Sequence, residues 1–430
     1  MKYSGVEWIG NIPNNWEIRK VKQCFYISKE QAHIENPTIL SLARAGVKVR
    51  DISNNEGQLA ASYDNYNPVQ PGDLLLNPMD LYSGANCSLS EVAGVISPAY
   101  VNLRKRVNLN PKFYDYFFKT QYWAMAMFAH GKGVSFDNRW TMNAETVLNY
   151  YLPFPSFEEQ NKIVEFLKRK NEEINSLISV ENQQIEKLEE YRLGLIGDEV
   201  FQKKNNGSLG STVDGIRKLP SEWKILPMKM LFDYGKGLPI TKENLVDSGV
   251  KVISYGQIHA KFNKSVFIDE RLYRFVEEKY INDNPECIVQ KHDYIFADTS
   301  EDLKGTCDFI HIDNDEKIFA GYHCIILKNK GNFNPYYLSY QFLTDDWREF
   351  FRCRVGGVKL FSLTKKLLSQ GYVVLPPLDV QNQIVQTLNE KCKTIDMIIE
   401  IKREKIEKLE EYKKSLIFEY VTGKKEVIAW

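Results

Sequence analysis

The heptapeptide IEKLEEY occupies Ile185–Tyr191 and recurs at Ile406–Tyr412, an offset of 221. Seven chosen letters rarely repeat by chance in 430 residues, and here the flanks match in the same register. Pro155 aligns with Pro376, Gln160 with Gln381, Asn161 with Asn382 and Ile163 with Ile384, and the match runs without a gap to Val200 and Val421. One block is therefore written twice, and any fold must account for that repeat.

The block has the period of a helix. Beyond LPFPSF and LPPL, whose prolines block helix, Leu167, Ile174, Leu188 and Leu195 fall on seven-residue steps, with Leu177, Ile178, Ile185 and Tyr191 beside them. Leu388, Ile395, Leu409 and Leu416 repeat the pattern with Ile398, Ile399, Ile406 and Tyr412. This a/d/e stripe predicts two helices of about forty residues, roughly 60 Å long at 1.5 Å per residue. So long a helix must pack on something, and a twin in the same chain is the economical partner. Glu181 and Lys402 interrupt the stripe at corresponding a positions as opposite charges suited to an internal pair. The chain between the twins lets its direction reverse, so the expected product is an antiparallel coiled coil with a globular domain at each end.

Those domains are also related to each other. IPNNWEI (Ile12–Ile18) is similar to LPSEWKI (Leu219–Ile225), and NPKFYDYFFKTQYW (Asn110–Trp123) to NPYYLSYQFLTDDW (Asn334–Trp347). Between these anchors the halves diverge, as in TILSLARAG from Thr38 against KVISYGQIH from Lys251, or PGDLLLNP from Pro71 against KHDYIFAD from Lys291. Short runs of Ile, Leu, Val and Tyr bounded by Gly, Pro and Asp read as strands. The Asn-Pro pairs open short helices, since proline suits a first helical turn. The fold class is α+β: two pseudo-repeated domains at residues 1–152 and 205–374, each followed by a long helical segment, 153–204 and 375–430. Small polar NNGSLGSTVDG (Asn205–Gly215) reads as the inter-domain linker.

Composition narrows the function. Fifty-six basic residues balance 56 acidic ones, which excludes a generally polycationic nucleic-acid coat and leaves local patches to make any such contact. Seven scattered cysteines form no CxxC pair and no zinc-ligand spacing, which favours a reduced cytoplasmic protein without a metal site. MKYSGVEWIGNIPNNW lacks the apolar core of a signal peptide, and no run approaches a membrane span. The aromatic share of 13% is assigned to globular cores.

The catalytic inventory is thin. HGKGVS from His130 and YGKGLP from Tyr234 have glycines without the spacing or the Lys-Ser/Thr ending of a phosphate loop, and no GxSxG elbow occurs. NPYY at Asn334 superficially approaches the NPPY signature of amino-methyltransferases, but its twin NPKF at Asn110 occupies the same place in the repeat, so a helix start explains both. The six histidines form neither a metal nor a triad spacing.

Basic groups in the globular halves are more informative. They are Arg44, Lys48 and Arg50; Lys132 and Arg139 in GKGVSFDNRW; His259 and Lys261; and Arg352, Arg354, Lys359, Lys365 and Lys366 in RCRVGGVKLFSLTKK. Glycine-rich loops bearing Lys and Arg neutralise phosphates and reach base edges, while ordinary solvated surface remains the alternative for each residue taken singly. A glycine-rich basic loop precedes the helical block in both halves, and this shared placement favours the set.

At this point the sequence resembles the specificity (S) subunits of type I restriction-modification systems. The resemblance is carried by SGVEWIGNIPNNWEIRKVK, its weaker copy DGIRKLPSEWKILPMK, the helix entries LPFPSFEEQNKIVEFL and LPPLDVQNQIVQTL, and the paired IEKLEEY helices, with Val380 in place of Glu159 as a departure. It implies two target recognition domains, each reading half of a bipartite double-stranded DNA site, with the helices as an antiparallel ruler. Half-sites about one helical turn apart, roughly 34 Å, follow from that arrangement. It also implies docking of two modification subunits that use S-adenosylmethionine, optionally with two restriction subunits that use ATP and magnesium. The chain itself is then expected to be non-catalytic and to bind no cofactor. A coiled-coil adaptor whose globular ends bind proteins is the alternative reading.

Overall fold

The computed structural model describes residues 1–30, 36–51, 62–79, 81–82, 86–135, 140–202 and 220–427. The linker expected at Asn205–Gly215 and the side chain of Arg139 lie outside them. Five helices frame the chain: α1 (Pro111–Trp123), α2 (Phe157–Val200), α3 (Pro335–Leu343), α4 (Asp345–Arg352) and α5 (Leu378–Val421). The two repeated blocks, α2 and α5, are each 44 residues long. The chain divides into two compact units, 1–182 with 403–430, and 183–402, so each unit takes part of both long helices. Among the described residues no helix is long and apolar enough to cross a membrane.

The first unit is built on a four-stranded antiparallel sheet in the order Phe25–Ile27, Val101–Lys105, Leu74–Leu76, Cys87–Leu89. PGDLLLNP supplies Leu74–Leu76, which is buried along its whole length. Outside that sheet, TILSLARAG forms the strand Leu40–Ala43, which turns at Arg44 and Ala45 into Gly46–Val49. Asn110 caps α1 by accepting from the Lys112 amide, and Phe113, Phe117 and Phe118 beneath it are fully buried. Ile163, Leu167 and Ile174 of α2 join the same core as Leu416, Ile417 and Val421 of α5.

The second unit repeats the plan. Its sheet orders Phe232–Lys236, Cys324–Asn329, Tyr294–Ala297 and Phe309–His311, the last strand but one coming from KHDYIFAD. Asn334 caps α3, accepting from the amides of Tyr336 and Tyr337. A second four-stranded sheet includes a parallel pair of Val250–Ile253 with Ile318–Ala320; among the described residues of the first unit a parallel bridge of Ile39 with Val95 joins the Leu40–Ala43 hairpin to the pair Gly94–Ile96 and Asn67–Val69 in the same way.

Within each unit the long helices run antiparallel. In the first, Phe166 meets Tyr420 at 4.5 Å between ring centroids, Lys413 Nζ donates to Asn175 Oδ1 at 2.7 Å, and Lys405 pairs with Glu181 at 2.6 Å. In the second, Lys402 donates to Gln184, Arg192 pairs with Asp396 at 3.1 Å, and Lys391 with Glu199 at 2.6 Å. As one residue number rises, its partner's falls.

The stripe on these helices is narrower than the sequence reading. Leu167, Ile174, Ile185, Leu195, Leu388, Ile395 and Leu416 are buried, and Leu188, Ile406 and Leu409 are half-buried. Leu177 and Ile398 are corrections, being 50% and 40% exposed. Their neighbours Ile178 and Ile399 turn inward instead. At about 100° per residue, a position four residues on lies about 40° from its start, whereas one three residues on lies about 60° away on the opposite side. The buried face combines the a positions with the residues four further on, leaving Leu177, Tyr191, Ile398 and Tyr412 on an outward flank.

Candidate nucleic-acid interface

The repeated helix entry is a clamp. Gln160, buried in the first turn of α2, donates through Nε2 to Pro155 O at 2.9 Å and accepts the Asn110 amide at 2.8 Å. Asn161 Oδ1 accepts from Asn110 Nδ2 at 2.7 Å. Gln381 makes the same two bonds to Pro376 O and the Asn334 amide, both at 2.8 Å, and Asn382 takes Asn334 Nδ2 at 2.7 Å. Each Asn-Pro helix is thus fixed to its long helix by one repeated Gln-Asn pair. The departure at Val380 removes a further contact: in the first copy Glu159 accepts from Trp16 Nε1 at 2.8 Å.

Beyond this clamp each unit presents a glycine-containing loop. In the first, Lys132 and Thr141 exchange two backbone bonds, closing a loop whose described part places Val134 at 86% exposure. A side chain at Gly131 would strike the Trp140 indole at 2.4 Å, so only glycine fits that neck. In the second, an isolated bridge between Gly356 and Ser362 closes a loop with Val358 at 94% exposure. Gly357 there has φ +144°, with Leu360 O occupying the place of a β-carbon. Val134 and Val358 stand 224 apart, the spacing that relates Asn110 to Asn334, so the two loops are equivalents.

Lys132, Arg354, Lys359 and Lys366 are exposed on or beside these loops, and Lys365 is half-buried. Arg354 lies over the Phe350 ring at 4.1 Å and donates to the Phe350 carbonyl. Lys261 is exposed on a turn elsewhere in the second unit. Arg44 is exposed at its hairpin turn with Lys48 on the following strand, while Arg50 is half-buried.

Two of the basic residues are engaged internally. His259 Nδ1 faces Asp308 Oδ2 at 3.0 Å and Nε2 faces Thr299 O at 2.8 Å. Burial lowers its pKa, but the Asp308 bond and the Thr299 carbonyl outweigh that and raise it, as befits a ring with two acceptors and both nitrogens donating. Asp308 Oδ1 also receives Arg348 at 2.7 Å; burial works to raise its carboxyl pKa, yet His259 and Arg348 hold it low. Arg352 donates to Asp345 at 2.7 Å and to Lys304 O at 3.1 Å. Together these bonds fix the segment Thr299–Asp308, whose strand Thr299–Ser300 pairs with Phe361–Ser362 at the base of the Val358 loop. His259 and Arg352 therefore hold a loop pair in place. Their charge gave a sequence signal, but the half-buried carboxylate that binds His259 gave none.

Among the described residues no cluster of His, Cys, Asp or Glu is arranged to hold a metal ion, and the seven cysteines are free thiols. Residues 220–411 match the family model described as the type I restriction modification DNA specificity domain. The MjaVIII type I restriction enzyme specificity subunit of Methanocaldococcus jannaschii is 23% identical over 83% of this chain and 80% of its own length. Residues 220–411 thus carry a type I restriction modification DNA specificity domain, and the chain is similar over most of its length to a specificity subunit of a type I restriction enzyme.

The putatively named MjaX specificity subunit of the same organism is 23% identical over 67% of this chain and 62% of its own. A chain from a solved type I R-M system, studied for complex assembly and conformational transition, shares the fold: TM-score 0.66 at 14% identity, covering 96% of this chain and 98% of that one.

Proposed function

We propose that this specificity subunit reads a bipartite double-stranded DNA site, one half with each globular domain, and catalyses no reaction itself. One observation carries this reading: glycine-necked loops bearing basic residues are closed by a bridge at the same place of the repeat in both units, while their sequences differ. Two half-sites of different sequence need one scaffold with two different surfaces. Lys132, Arg354, Lys359 and Lys366 meet phosphates in this reading, and Val134 and Val358 supply apolar tips suited to a thymine methyl.

The outward helix flank supports docking of two copies of one modification subunit. In the first unit it exposes Leu177, Val180 and Tyr412; in the second, their equivalents Ile398, Ile401 and Tyr191. Those partners bring S-adenosylmethionine and adenine methylation, and restriction subunits, where the system has them, bring ATP and magnesium. The complex works in the cytoplasm. With no net charge, the chain gains its tight DNA binding from assembly. Methylome sequencing with and without the gene tests the reading: a bipartite adenine-methylated motif should vanish on deletion, and its persistence overturns the proposal.

A further inference from the structure

The glycine-necked loop of the second unit has a companion. The ladder at its base pairs Thr299 with Ser362 and Ser300 with Phe361, so the next positions in register are Glu301 and Leu360. Both chains leave the ladder at the same end, and the loops at 301–307 and 356–360 emerge side by side. The first unit has the same arrangement: the chain beyond Leu74–Leu76 returns to the base of the other glycine-necked loop, where the Leu81 amide donates to Trp140 O at 3.0 Å, and exposes Tyr82 next to it.

The companion loop is braced. Ser300 Oγ donates to Asp302 O at 2.6 Å, Asp302 Oδ1 accepts the Gly305 amide at 2.7 Å, and Arg352 donates to Lys304 O. Asp302 is thus committed to the turn. Glu301 beside it is exposed, and among the described residues its carboxylate has no ion-pair or hydrogen-bond partner. Yet its surroundings are basic, with Lys304 in its own loop and Arg354 and Lys359 exposed in or beside the adjoining one.

On a DNA-facing surface these charges separate. Phosphates attract the lysines and repel the acid, so a carboxylate held there suits a base edge and not the backbone. In the major groove, adenine and cytosine present amino donors. Adenine sets its N7 acceptor beside that donor and repels a carboxylate, whereas cytosine offers its N4 amino group without an acceptor next to it on the same base.

We propose that Glu301 reads a cytosine, its carboxylate accepting from the N4 amino group of a C·G pair in the half-site of the second unit. The assignment rests on the DNA reading above and extends it from the glycine-necked loop to a second, acidic loop with a definite base.

The test is methylome sequencing of cells that carry the complete system with Glu301→Gln or Glu301→Ala. Glutamine pairs its amide with N6 and N7 of adenine, so Glu301→Gln should turn one C·G position of one half-site toward A·T, with a change in relative methylation of about tenfold or more. Glu301→Ala should relax the same position to all four bases. In both variants the other half-site should stay intact, and the melting profile should not move because the side chain is exposed. A wild-type motif with no C·G pair in the affected half, an unchanged preference in both variants, a change in both halves, or loss of methylation at every site in both variants each overturns the assignment and leaves the DNA reading standing. Absence of any motif that depends on the gene overturns the two together.

Discussion

Replacing Gln381 by methionine removes both clamp bonds of the second unit while keeping side-chain length. Gln381 is 3% exposed, so the Asn334 amide and the Pro376 carbonyl lose their partner where water does not readily replace it. Each orphaned buried group costs about 1–3 kcal/mol, and both together about 3 kcal/mol or more. At about 1.4 kcal/mol per tenfold, local opening at Asn334 should become at least ~100-fold more frequent. Hydrogen exchange read by mass spectrometry suits this two-unit chain better than one melting curve, because a single transition is not defined for it. Peptides covering Asn334 should lose protection while those covering Asn110 keep theirs, and Gln160→Met should give the converse. In the assembled complex, Gln381→Met should weaken methylation through the half-site read by the second unit. Unchanged exchange at Asn334, or equal loss at Asn110 and Asn334, would refute the clamp as a local device.

Val358→Ser should alter base preference within one half-site by about 1–3 kcal/mol and leave the other intact, read by methylome sequencing; a change in both halves would show that the loops do not read independently. Tyr412→Glu with Leu177→Glu should weaken capture of the modification subunit on the first unit and leave the chain's own melting profile unchanged, since both side chains are exposed. Burial brings His311 down to about 4 from an ordinary 6.5, so its neutral form is favoured in the fold. Stability from this group is therefore full above about pH 6.5 and lost progressively toward pH 4, by about 3 kcal/mol at ~1.4 kcal/mol per pH unit. Denaturant titrations of His311→Phe should show a flatter acid limb than wild type.

The long helices and both Asn-Pro caps were legible because their signals are local: a period near 3.6 and an asparagine before proline. The phase of the stripe was less so. Leu177 and Ile398 look like seam residues by hydrophobicity, yet the flank they lie on also carries Lys170 and Gln184 at the same heptad position, and that mixture marks an outward face. The clamp was missed altogether, since Gln160 and Asn110 meet only through tertiary folding. Its trace was an identical polar pair in both copies at the first helical turn. Charge alone likewise grouped His259 and Arg352 with the loop lysines: Asp308, which binds His259, lies far away in the sequence, and Asp345 reaches Arg352 from the opposite end of α4.

The identity of IEKLEEY with its copy follows from the two faces it serves. Ile185 and Leu188, like Ile406 and Leu409, turn toward the helix seam, while Tyr191 and Tyr412 turn outward at 61% and 54% exposure. Seam packing alone fixes only the inward positions and tolerates hydrophobic exchange. A merely solvated outward face would fix nothing. Identity at every one of the seven positions requires a second constraint acting equally on both copies, and two equivalent partners resting on the two outward flanks provide one. The pair of Arg192 with Asp396 marks where that equivalence breaks, since Lys413 and Asn175 take its places in the first unit.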